Sequence, residues 1–177
     1  MTGIVVWFTG LPSSGKSHLA ERVQGRLRDR GQACCLLDGD RVRELLQPKP
    51  GYGDREREDF YATLGNLAAE LAQQGLIVLV PATASKRAYR EHARQRAPRF
   101  LEVWLEVDPE ECRRRDAKGL YAQFARGEVQ GLPGQDEPYE PPTSPDVRAF
   151  GAQDEHALER LLQKLNVTVP SNGSIGR

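Results

Sequence analysis

Gly10-Leu11-Pro12-Ser13-Ser14-Gly15-Lys16-Ser17 follows the apolar run Ile4-Val5-Val6-Trp7-Phe8 and opens a segment of helical periodicity. This order, strand then glycine-rich turn then helix, decides the fold. A loop that turns sharply from a strand into a helix aims several backbone N–H groups at one point, and the helix dipole adds positive potential there. The spacing G-x(4)-G-K-S is that of a phosphate-binding loop. Gly10 and Gly15 permit close backbone approach, Lys16 reaches β- and γ-phosphates, and the Ser17 hydroxyl suits magnesium. The competing reading is a glycine-rich turn capping an ordinary βα unit; the strand before the loop and the helix after it weigh against a chance match.

Outward from the loop, Leu19, Ala20, Val23 and Leu27 recur at helical spacing and Gly31 stops them, which predicts a helix over 17–30. Ala33 to Leu37 reads as a buried parallel strand ending in Asp38-Gly39-Asp40, where ligands bind in open α/β sheets. A short helix is expected over 41–46, a Pro/Gly-rich break over 47–53, and a long helix over about 55–74 closed by Gly75. A second buried strand follows at 76–80, a helix at 85–95, and a strand at 100–107 whose alternation places it nearer an edge. Pro109 starts another helix. From Asp116 to Pro145 the periodicity breaks, as expected of a lid or an insert. A last short strand near 146–150 and a helix with Leu158, Leu161, Leu162 and Leu165 complete the pattern, and 169–177 reads as a disordered tail. Strands alternating with helices predict an α/β doubly wound parallel sheet of about five strands, one domain over 1–168 with a lid at about 116–145.

Composition narrows the class. With 177 residues, 38% hydrophobic and 28% charged, the chain suits a single globular domain. Lys+Arg and Asp+Glu balance at 25 each, so no basic field calls for nucleic acid. No apolar stretch approaches the ~20 residues of a membrane span, and no basic leader or small-residue cleavage site precedes Ile4. The 3 cysteines form neither a disulfide framework nor a zinc spacing, which points to a reducing, cytoplasmic location. His18, His92 and His156 are scattered and suggest no metal site.

Further blocks carry a resemblance. Leu37-Asp38-Gly39-Asp40 with Val42-Arg43, Gly75-Leu76-Ile77-Val78, Arg115-Asp116-Ala117-Lys118-Gly119-Leu120-Tyr121, Gly127-Glu128, Gly131 and Asp136-Glu137-Pro138-Tyr139-Glu140 join the loop in a chain that resembles the adenylylsulfate kinases. These enzymes use ATP to phosphorylate the ribose 3′-hydroxyl of adenosine 5′-phosphosulfate (APS). The Arg-Asp-x-Lys-Gly-Leu-Tyr and Asp-x-Pro-Tyr-Glu blocks are the most telling. The resemblance covers about residues 3–150 and implies a P-loop kinase fold, a mobile lid, Mg²⁺ and a homodimer.

Under this resemblance the ATP side comprises Gly10, Pro12, Ser13, Ser14, Gly15, Lys16, Ser17 and His18, with Arg115 against the adenine and Lys118 just beyond. Ser17 would hold magnesium. Asp40 is expected to orient or deprotonate the acceptor hydroxyl, following a strand adjacent to the loop, with Asp38 assisting directly or through a metal-bound water. Its competing role is a helix N-cap ahead of Arg41. Arg43 and Arg57 suit the acceptor's phosphate and sulfate oxygens, although Arg57 also reads as a solvated partner of Asp54 or Glu58.

The acceptor side departs from the family. Phe60 stands where the resemblance expects an Asn, Leu132 where it expects a Phe stacking on the APS adenine, Gln130 for a Lys, and Ala82-Thr83-Ala84-Ser85 for Phe-Ile-Ser-Pro. Arg41 replaces an Asn and His18 a Thr, while Tyr52 aligns with the other stacking Phe. Three readings follow: a kinase acting on APS; a paralogue acting on another hydroxyl acceptor, such as cytidine diphosphoramidate; or a nucleotide-binding regulatory subunit. No Asn-Lys-x-Asp motif supports a GTPase switch.

Overall fold

The computed structural model describes residues 3–166. The expected tail at 169–177 lies outside the described residues. Five strands, β1 (Ile4–Thr9), β2 (Cys34–Leu36), β3 (Ile77–Pro81), β4 (Phe100–Leu105) and β5 (Val147–Ala149), form one sheet in the order β2-β3-β1-β4-β5, and every pairing is parallel. Among the described residues the helices are α1 (Lys16–Arg28), α2 (Gly39–Leu45), α3 (Asp54–Gln73), α4 (Arg87–Arg96), α5 (Pro109–Arg115), α6 (Leu120–Ala125) and α7 (Glu155–Lys164). The expected doubly wound α/β architecture is present.

The central strand explains the two cores. All six residues of β1 are buried. Because side chains alternate across a strand, Ile4, Val6 and Phe8 pack with α1 and α7, through Leu19, Val23, Leu27, Leu158 and Leu161. Val5 and Trp7 pack on the opposite face with Leu64 and Ala68 of α3 and Ala93 of α4. The Trp7 indole N–H donates to Ala82 O at 3.1 Å, so burial leaves its polar atom satisfied. A third, small cluster joins Cys112 of α5 with Tyr121 and Leu132 of the 116–145 stretch.

Three expectations need correction. The apolar run at 33–37 is a three-residue edge strand whose residues are only half-buried. An edge strand has one partner, so its apolar side chains are covered less completely than the run suggests. The strand before Asp38-Gly39-Asp40 is also not adjacent to β1, because β3 lies between them. The irregular stretch at 116–145 likewise contains α6 and a bridge between Pro133 and Glu137.

Candidate active site

The loop after β1 leads straight into α1, with Gly15 at its N-cap in the left-handed region (φ 96°). A Cβ at Gly15 would sit 2.9 Å from Ala152 Cβ, so both conformation and space require glycine there. Lys16 Nζ donates to the loop's own carbonyls, Gly10 O at 3.0 Å and Leu11 O at 2.8 Å. Burial pushes this ammonium down to about 8; the Asp40 carboxylate opposes the fall and Lys118 adds to it. Ser14 is fully buried, and its Oγ has no hydrogen-bond partner among the described residues.

Beside the loop opens a cleft of about 580 Å³ lined by Pro12, Ser13, Lys16 and Ser17 on one side and by Asp40, Arg43, Tyr52, Arg57, Phe60 and Leu132 on the other. His18, Arg115 and Lys118 also line it. Gly10, Ser14 and Asp38 are not among the residues that line it. The two aspartates divide their work differently from expectation. Asp38, not Asp40, is the N-cap of α2: its Oδ1 accepts from Asp40 N at 3.0 Å and Arg41 N at 3.3 Å. Its Oδ2 accepts from Ser17 Oγ at 2.5 Å. Asp40, one step into the helix, is free of the cap and exposed, and it pairs with Lys118 from across the cleft.

Two arginines that line the cleft are buried, Arg43 at 4% and Arg57 at 6% exposure. Arg43 donates from Nη1 to Gly51 O at 2.6 Å and Pro50 O at 3.3 Å, and its guanidinium carbon lies 3.8 Å from the Phe60 ring centre and 4.5 Å from that of Tyr52. Arg57 does not pair with Asp54 or Glu58. It reaches the lid, donating to Gly131 O and lying 3.6 Å from the Glu137 carboxylate. Asp136 caps the same lid turn, accepting from Gly131 N at 2.8 Å and Leu132 N at 2.7 Å. Leu132 is 5% exposed and packs with Cys112 and Tyr121.

The 116–145 stretch is also fastened to the phosphate loop. Tyr121 Oη donates to Pro12 O at 2.9 Å, and Ala117 N to Ser13 Oγ at 3.2 Å. At its far end Arg90, 2% exposed, donates to Glu102 Oε1 at 2.7 Å, Ala84 O at 2.5 Å and Glu140 O at 2.7 Å. Thr9 Oγ1 donates to Thr83 O at 2.6 Å and shares a 3.0 Å hydrogen bond with Tyr139 Oη.

Among the residues lining the cleft, Tyr61, Pro81, Gln123, Val129, Pro133 and Ala152 carry no motif in the sequence. Ala152 follows Gly151 just beyond β5, so its signal was position at the carboxyl end of a strand. Tyr61 is the helical neighbour of Phe60 and stacks on Tyr89 at 4.8 Å, a contact invisible to periodicity.

The model of the adenylylsulphate kinase family matches residues 2–149. An adenylyl-sulfate kinase of Picosynechococcus sp. is 38% identical over 165 residues, covering 92% of this chain and 93% of its own. One from Chloroflexus aurantiacus is 42% identical over 146 residues, covering 82% of this chain and 78% of its own. Among solved structures, the Mycobacterium tuberculosis APS kinase in complex with AMPPNP and APS superposes with a TM-score of 0.86 at 36% identity, covering 93% of this chain and 98% of that one. The motifs, the parallel sheet, the loop-and-lid cleft and these likenesses agree: the chain belongs to the adenylylsulphate kinase family.

Proposed function

We propose that this protein is an ATP-dependent kinase that phosphorylates the ribose 3′-hydroxyl of adenosine 5′-phosphosulfate, giving 3′-phosphoadenosine 5′-phosphosulfate and ADP. One observation carries the reading: a single cleft faces Lys16 of the phosphate loop with the exposed carboxylate of Asp40 under a lid. Phosphoryl transfer needs chiefly alignment and charge neutralisation, and such a cleft supplies both. The amides of residues 13–17 and the Lys16 ammonium hold the β- and γ-phosphates, and Arg115 lies along the adenine. Asp40 accepts the proton of the 3′-hydroxyl. The hydroxyl oxygen bonds to the γ-phosphorus as the bond from that phosphorus to the β,γ-bridging oxygen breaks, and ADP leaves. Lys118, the partner of Asp40 in this structure, is well placed to follow the transferring phosphoryl group once the acceptor occupies the carboxylate.

Ser17 Oγ in the first turn of α1 and the Asp38 carboxylate at the N-cap of α2, 2.5 Å apart, are hard oxygen donors of the kind magnesium takes together with nucleotide phosphates. The ion, when bound there, neutralises charge on the β- and γ-oxygens. Asp38 thus serves the ATP side, and its capping bonds to α2 fix its direction. The chain works as one kinase domain with 116–145 as its lid, in the cytoplasm, in keeping with three free thiols, and as a homodimer, in keeping with the family resemblance. Among the described residues no helix is long and apolar enough to cross a membrane.

A second reading, another nucleotide-like anionic acceptor in place of APS, is favoured by the buried Phe60 and Leu132 and by arginines already held by protein groups. Asp40→Asn tests the shared mechanism. It should lower kcat by about 10² or more while ATP affinity, read by calorimetry, stays within about twofold. Unchanged transfer in the variant refutes the role of Asp40.

A further inference from the structure

We propose that Phe60 is a positioning residue of the acceptor side, acting through the Arg43 guanidinium to hold Tyr52 as a planar wall of the cleft. Phe60 is only 3% exposed, so little of its ring is available to touch an acceptor directly. What it touches is Arg43, whose guanidinium carbon lies 3.8 Å from its ring centre, and the same guanidinium lies 4.5 Å from the ring centre of Tyr52. Two aromatic rings thus share one cation. A buried guanidinium over ring faces keeps a stronger attraction than an exposed one, because water does not compete for it.

One nitrogen of the guanidinium, Nη1, donates to the carbonyls of Pro50 and Gly51 at 3.3 and 2.6 Å. From the other side the Glu56 carboxylate accepts from the amides of Gly51 at 2.9 Å and Gly53 at 3.2 Å. Tyr52 lies between these pinned residues and is itself 59% exposed on the cleft. Its backbone is held on both sides, while its side chain has Arg43 as its closest cation. Glycines flank it, so without the stack the ring would sample many orientations. Phe60 supplies the base of that stack from the rigid helix α3. Resting on the reading of this cleft as a kinase acceptor site, the outer surface of Tyr52 receives the planar ring of the acceptor, and Phe60 sets how firmly that surface is presented.

The test combines kinetics with a readout that needs no activity. Phe60→Leu keeps apolar volume and removes the ring. It should raise the APS KM about tenfold, with KM for ATP and kcat within about twofold, and adding Tyr52→Leu should worsen the KM little further. Additive losses, an equal rise in the ATP KM, or no change in the APS KM overturn the proposal. Independently, Tyr52→Trp gives a fluorescent reporter at the wall, measured as the difference from the parent protein. Its anisotropy should fall when Phe60→Leu is added, and fall likewise with Arg43→Lys, which keeps the charge but loses the planar stack. A reporter equally immobile in both variants overturns the proposal even if APS proves not to be the acceptor. A reporter freed in both, in a protein inactive on APS, upholds the positioning role and removes the substrate reading alone. If Phe60→Leu fails to fold, as judged by circular dichroism, the Arg43→Lys reporter decides.

Discussion

At the phosphate loop, Lys16 has two loop carbonyls as hydrogen-bond partners, and burial holds its ammonium down at about 8. Only the protonated form attracts phosphate. As pH rises through about 8 the free protein loses that proton, so the ATP association constant should fall by about tenfold per pH unit above it, until the pKa of the nucleotide complex is passed. Titration calorimetry from pH 7 to 9.5 checks this, and Lys16→Met should bind weakly with the slope gone. A slope that survives in Lys16→Met places the titration elsewhere. Lys16 and Ser17 were legible in the sequence because a phosphate loop is local chemistry: spacing alone fixes which atoms converge. The division between Asp38 and Asp40 was not, because it turns on where α2 begins. The helix starts at Gly39, so the cap falls on Asp38 and Asp40 is left free to pair with Lys118.

Elements were legible where periodicity is strong. The long helix expected over 55–74 is α3 at Asp54–Gln73, and the helix after Pro109 is α5. The edge position of β2 was hidden, since a short apolar run looks alike at the edge and in the middle of a parallel sheet. Within the lid, α6 is only six residues and the bridge at Pro133–Glu137 depends on Asp136 capping two amides, neither of which leaves a periodic signal. The role of Arg57 was hidden for a different reason: its partners, Gly131 and Glu137, lie more than seventy positions away. The turn at 131–137 is therefore held to α3 by one buried guanidinium, and removing it leaves the Glu137 carboxylate with only the Ser85 hydroxyl, at 3.5 Å, among the described side chains. Arg57→Met should speed hydrogen exchange of the 131–137 amides by about tenfold or more while the amides of β1 stay protected. Unchanged exchange in the turn shows that other contacts hold the lid.

Across the whole molecule, one all-parallel sheet with β1 buried at its centre puts the phosphate loop, the α2 start and the post-β5 turn at the same carboxyl edge. That convergence is what the doubly wound pattern predicts. Arg90 links three separate parts of the chain, β4, the turn after β3 and the end of the lid, and so couples the lid's far anchor to the sheet core. The proposed homodimer predicts a mass of about twice 19.8 kDa by light scattering, whereas a single-chain mass at micromolar concentration contradicts it. The compound that sits opposite Lys16 and Asp40 decides the activity. The most direct test incubates the protein with Mg-ATP and APS and identifies the product by mass spectrometry and ³¹P NMR, beside cytidine diphosphoramidate and other nucleotide conjugates. A new phosphate on the ribose 3′-oxygen of APS is expected, formed with stoichiometric ADP. No phosphorylated APS, with turnover of another conjugate in the same panel, would contradict the proposed activity.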